Sequence, residues 1–276
     1  MPENTPHTVL PAEPTGEFQR RVTGSGTESD PLKVYPMPTA QDPVAAAIAK
    51  QRQGVTQYEA AFRSGADLSV NLPADVRQMV SQAASAITGT VGKAQDARKR
   101  ADSFLNDQTM WPDGRRMMAG DAIKAAQDSI SESFSEADAK MAIADALLYE
   151  TSRPRLAQAD AMTARADLDM ITRSAISANS PGALVNSLKT LASGDDALAA
   201  LVADETYLTR FLAANGIAQD VAQAIVTNVK AAVVASAAAS GDPKRAAAGR
   251  TSQALGELRK ARAAATSYAR NTLNAK

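Results

Sequence analysis

From Pro73 to Glu150, apolar residues return every three, four or seven positions, and the pattern is interrupted at Trp111-Pro112-Asp113-Gly114. A period near 3.6 places such residues on one face of an α-helix, and that face must be covered by something. The first stretch, from about Pro73-Ala74, carries Val76, Met79, Val80, Ala83, Ile87, Val91, Ala94, Ala97, Ala101, Phe104 and Leu105 on its stripe. The second, from about Arg115 to Glu150, carries Ile123, Ala126, Gln127, Ile130, Phe134, Ala137, Met141, Ala144, Asp145 and Leu148. Helices of some thirty residues are ~45 Å long, and a short break between them predicts a long, coiled-coil-like hairpin. Met110, Trp111, Met117 and Met118 fall at its tip, and Gly89 and Gly92 are expected to weaken the first helix midway.

The remaining punctuation also predicts helices. Asp42-Pro43 is an N-cap followed by proline at the first helical position, opening a helix that runs to Ser64-Gly65. Pro154 is expected to open a helix ending near Asn179, and Ser180-Pro181-Gly182 starts the next, which ends at Ser193-Gly194. Asp195-Asp196 restart the chain, and Asn215-Gly216 reads as a C-cap. Leu184, Leu188, Leu191, Leu198, Leu201, Leu208, Phe211, Leu212, Ile217, Val221, Ile225 and Val229 form the densest apolar set. The expected architecture is all-α. An extended or disordered arm occupies 1–42, long helices including the hairpin 43–150, a compact helical core 154–240 and a basic helix 242–276. No alternating strand pattern is visible. The apolar run from Ile217 to Ser240 is interrupted by Gln219, Asp220, Gln223, Asn228 and Lys230, which predicts a core helix and no membrane span.

Composition restricts the chemistry. The chain has no cysteine, and His7 is its one histidine, so thiolate catalysis, histidine triads and Cys/His metal sites are excluded. The carboxylate pairs Asp195/Asp196 and Asp204/Glu205 stand at helix starts, where they cap free N–H groups. Asp167 and Asp169 are two apart on a helix and do not share a face. Gly89-Thr-Val-Gly92 lacks the lysine and hydroxyl of a phosphate loop. No catalytic residue, cofactor or metal is expected, and the chain is read as a non-enzyme. The N-terminal stretch lacks a basic segment followed by an apolar run, so secretion by a signal peptide is not expected. The expected location is cytoplasmic or virion-associated.

Macromolecular contact is the remaining expectation. Formal net charge is zero, but residues 242–276 hold eight basic against two acidic residues, leaving that segment +6 and the rest −6. The cations are Lys244, Arg245, Arg250, Arg259, Lys260, Arg262, Arg270 and Lys276. This helix is read as a solvated end, as docking on an acidic protein surface, or as touching nucleic acid; Tyr268, its lone aromatic, offers little base stacking. Trp111 is either a lid over the helix ends or an exposed docking knob, with Met117 and Met118 adapting to a partner and Arg115-Arg116 suiting an acidic one. Tyr35, in Leu32–Pro38, has the apolar character of an anchor by which the arm could lie on a neighbouring subunit; a passive tail is the alternative. Aromatics are only 4% of the chain, and much of its apolar content is alanine, which buries little area per residue. Stability borrowed from other subunits, in a homo-oligomer, is expected.

The cysteine-free helical composition, the Pro-rich arm and the basic segment Lys244–Lys276 resemble tailed-bacteriophage assembly proteins, scaffolding proteins above all. The resemblance implies a basic C-terminal helical segment docking on acidic coat-protein surface. The leucine-rich core at 184–229 departs from the looser scaffolds and points to a permanent virion component contacting capsid or connector proteins. Alternative readings are a nucleic-acid-associated protein using the C-terminal helix and an amphipathic surface-coating protein.

Overall fold

A computed structural model describes residues 20–23, 33–36, 43–157, 160–177, 181–194 and 196–275. The fold is all-α. Two compact units divide the chain, residues 1–47 and 48–276. In the first, strands β1 (Arg20–Thr23) and β2 (Lys33–Pro36) form an antiparallel ribbon with Arg21 opposite Tyr35. These are the strands among the described residues, and they lie within the segment 1–42 expected to be an extended or disordered arm. Four residues per strand are too few to show an alternating pattern in the sequence.

The long helices are α1 (Pro43–Gly65), which belongs to the second unit from Ile48 onward, and α2 (Ala74–Asn106), α3 (Pro112–Ser152) and α9 (Pro243–Asn274), which lie wholly in it. Between α3 and α9 lie α4 (Ala161–Ser177), α5 (Pro181–Ala192), α6 (Ala197–Val202), α7 (Glu205–Ala214) and α8 (Gln219–Ala238). The α2/α3 hairpin forms as its periodicity predicts. Val76, Val80, Ala83, Ile87 and Ala94 face Ile130, Phe134, Ala137, Met141, Ala144 and Leu148 across it. Gly89 and Gly92 do not interrupt α2; both are exposed helix positions. Pro154 does not open α4, which begins at Ala161; residues 154–157 form no helix, and Pro154 is buried.

The largest departure from expectation is α9. Sequence reading set 242–276 apart as a charged helix; in the structure it is built into the hairpin. Ala247, Ala248, Leu255, Leu258, Ala261, Ala265, Tyr268 and Leu273 belong to the same core as the α2/α3 stripe. Part of α1 lies antiparallel along α9: Ala254 packs near Gly65, Ala264 near Gly54, and Asn271 donates to Gln51. Alanine permits this, because helices facing each other with small side chains approach closely. Among the described glycines the tightest approach is at Gly249, where an added Cβ would stand 2.4 Å from the Ala238 backbone nitrogen of α8.

The second core joins α4–α8, with Leu168, Leu184, Leu188, Leu201, Leu208, Leu212, Ile225 and Val229 at its centre. Asp196 caps α6 by accepting from the Ala199 N–H at 2.8 Å, and Asp204 caps α7 by accepting from the Tyr207 N–H at 2.9 Å. Gly216, at φ 76°, turns the chain after α7 as its C-cap pattern predicts. Helix α8 is long and apolar enough to cross a membrane by length and composition. Here it supplies Ala222, Ile225, Val226, Val229 and Val233 to the second core.

Tyr149, in the last turn of α3, ties that helix to the second core: its hydroxyl donates to the Ala203 carbonyl at 2.8 Å, and the Lys230 ammonium sits 4.8 Å from its ring centroid. Tyr149→Phe leaves a buried carbonyl unpaired and is expected to cost ~1–3 kcal/mol in denaturant unfolding. Burial, reinforced by the nearby Glu205 carboxylate, raises the Tyr149 phenol well above its ordinary value. Stability from this group is therefore complete below about pH 10 and falls as pH rises further, a loss that Tyr149→Phe should lack.

Candidate functional site

The turn between α2 and α3 is braced by local bonds. Asp107, the C-cap of α2, accepts from the Thr109 N–H at 2.9 Å and from the Thr109 hydroxyl at 2.6 Å. These bonds hold its carboxyl below the usual range. The Arg115 guanidinium folds back to the Met110 carbonyl at 2.8 Å, and the Arg115 N–H donates to the Trp111 carbonyl at 3.0 Å. Trp111 is the N-cap of α3 in an extended conformation (φ −62°, ψ 145°), which Pro112 imposes on the residue before it. Pro112 at the first helical position and Asp113 in the first turn suit the helix start.

On this fixed backbone the indole of Trp111 is 86% exposed. It does not cover the helix ends. An indole left in water forgoes roughly 3–5 kcal/mol of burial. Met117 (63% exposed), Leu105 (43%) and Met118 (37%) add apolar surface at the same end of the hairpin. Arg116 reaches Asp113 at 3.6 Å, with both side chains largely in solvent, so this pair contributes little. Arg115 acts as a brace within the turn; Arg116 and Asp113 are the charges presented beside the indole.

Most of the α9 cations face acids of this chain. Arg250 pairs with Asp67 at 2.6 Å, Arg259 with Asp145 at 3.1 Å, and Arg262 with Asp138 at 2.9 Å. Asp145 also accepts from the Ser252 hydroxyl at 3.2 Å. The Asp67 carboxyl is held below its usual range by the Ser69 hydroxyl, with Arg250 assisting. Arg262 additionally lies 4.0 Å from the Phe134 ring centroid. Lys260 pairs with Glu257 at 2.6 Å and approaches the Tyr58 ring. Arg245 donates to the Ser152 carbonyl at 3.2 Å. Tyr268 is 2% exposed and cannot stack on a base. The acidic surface facing most of this helix is thus the chain's own α3 and the segment before α2. A signal for this existed in the sequence: Asp138 and Asp145 lie seven apart, beside the apolar stripe of α3.

Two concavities accompany these elements. One, of about 1050 Å³, lies where α2 and α9 begin and α3 ends, and is lined by Lys244, Arg245, Arg153 and Arg155 together with Asp75, Glu150 and Asp242. The other, of about 530 Å³, runs between α3 and α9, with Arg270 on its rim. Tyr35 lies on β2, in the other unit. Among the described residues no group of three His, Asp or Glu could hold a metal ion. The chain matches no protein family, no curated protein and no solved structure.

Proposed function

We propose that this protein is a non-catalytic structural or assembly protein that works through protein–protein contacts, and that the α2/α3 tip makes one of them. The observation that carries this reading is Trp111, held in a braced turn and left 86% exposed. Tryptophan is enriched among residues that dominate interface energetics, and methionine adapts to a partner's shape. The setting we infer is particle assembly of the kind performed by tailed-bacteriophage structural proteins. Within that class the structure favours a permanent component over a scaffold, because the basic helix that carried the scaffold likeness is part of the folded core.

Trp111→Ala removes a side chain that stabilises nothing within the chain. It is expected to change unfolding stability by no more than ~0.5 kcal/mol and to weaken partner binding at least ~30-fold. A photo-crosslinking residue at position 111, introduced in producing cells, should yield adducts identifiable by mass spectrometry as a defined protein. The same residue at Ala213, exposed on α7, should not yield them. Absence of protein adducts at position 111 would sink the reading.

A further inference from the structure

Building on the tip as a contact surface, we propose that its receiving site is the α3/α9 groove of a second copy of this chain. The groove floor is Ile130, Phe134, Ala269 and Leu273, and its volume of about 530 Å³ falls within the range of pockets that enclose small ligands, enough for an indole with an adjoining thioether. The Arg262 guanidinium, already over the Phe134 ring at 4.0 Å, lines the same groove and can stack on an incoming indole. Arg270, on the rim, is exposed and has no ion pair among the described residues. The tip carries the exposed indole, Met117 and the solvent-exposed pair Asp113 and Arg116, 3.6 Å apart, of which Asp113, with its side chain 97% exposed, is the charge that matches Arg270.

Occupancy within one chain is barred by covalent geometry. Trp111 and Phe134 are joined by the continuous helix α3, and 23 residues at 1.5 Å per residue hold them about 35 Å apart. Knob and groove are different surfaces, so the contact either closes as a two-fold dimer, with each tip in the other copy's groove, or runs head-to-tail into a ring or a filament. A single tip buries little area, in the class of weak encounters, and gains strength by repetition around an assembly.

The chain suits a direct test because Trp111 is its one tryptophan and it has no cysteine. Sedimentation velocity on the intact protein from about 1 to 200 µM should show concentration-dependent association, accompanied by a blue shift of Trp111 emission. Trp111→Ala, Asp113→Arg and Arg270→Asp should each weaken association, by ~30-fold or more for the tryptophan. The charge-swapped double variant Asp113→Arg/Arg270→Asp should recover most of it, which a merely misfolded variant would not. Asp113→Cys protein mixed with differently tagged Arg270→Cys protein should form the mixed disulfide.

A wild-type chain that stays monomeric to 200 µM overturns this inference; so does association that survives Trp111→Ala, or a double variant that does not recover. Crosslinks from position 111 to a different protein, with no self-association, would leave the tip reading standing and remove only the groove assignment.

Discussion

Deletion of residues 242–276 is expected to abolish the cooperative unfolding of the α1/α2/α3 bundle, although the removed segment reads in sequence as a separate basic helix. Helix α9 supplies Leu255, Leu258, Tyr268 and Leu273 to the first core, together with the alanines between them. At ~1.5–3 kcal/mol for each large buried side chain, these four contribute roughly 6–12 kcal/mol, comparable to the whole stability of an ordinary domain. Their loss also leaves Asp138 and Asp145 on α3 without the arginines that face them. The truncated chain should keep helical circular dichroism, lose a sharp thermal transition and bind a dye that reports exposed apolar surface. A truncated protein melting cooperatively within a few degrees of the intact chain would show that α9 is an appendage.

Gly249→Ala should be the most damaging Gly→Ala change among the described glycines. An ideal Cβ there lies 2.4 Å from the Ala238 nitrogen, 2.8 Å from its Cα and 2.8 Å from the Val234 carbonyl oxygen. All three are backbone atoms, so no side-chain rotation relieves the contact and α8 and α9 must separate. The expected cost is ~3 kcal/mol, or about 10 °C in Tm for a chain of this length. The same change at Gly89 or Gly92 meets no atom within 4 Å and replaces an exposed mid-helix glycine. There it should stabilise by ~0.5–1 kcal/mol. The paired experiment separates packing from helix propensity, since propensity alone predicts stabilisation at all three positions. Equal effects at Gly89 and Gly249 in calorimetry would refute the close α8/α9 approach.

The helices and several of their ends were readable in sequence, and the reason is locality. The stripe from Val76 to Ala94, the caps at Asp196 and Asp204, and the turn at Gly216 depend on residues within one or two turns of each other. Pro154 misled because a proline compatible with a helix start is equally compatible with an extended buried connector. The candidate site was half legible. The composition around Trp111 marked the tip, but not whether the indole lies over the helix ends or stands in solvent. Asp138 and Asp145 marked an acidic side of α3, but the α3/α9 groove itself was not legible, because it exists only where two helices more than a hundred residues apart lie side by side.

Hydrogen bonds and periodicities that span a few residues set the all-α class, the hairpin and most of the helix boundaries. Tertiary structure decided what α9 is. Its arginines meet Asp67, Asp145 and Asp138 across separations of 183, 114 and 124 residues, and its alanines fill the space beside α2, α3 and α8. Charge and alanine content suit a solvated helix and a buried one equally well. Only the geometry of approach, closest at Gly249, distinguishes them, and the same geometry leaves Trp111 uncovered at the far end of the hairpin.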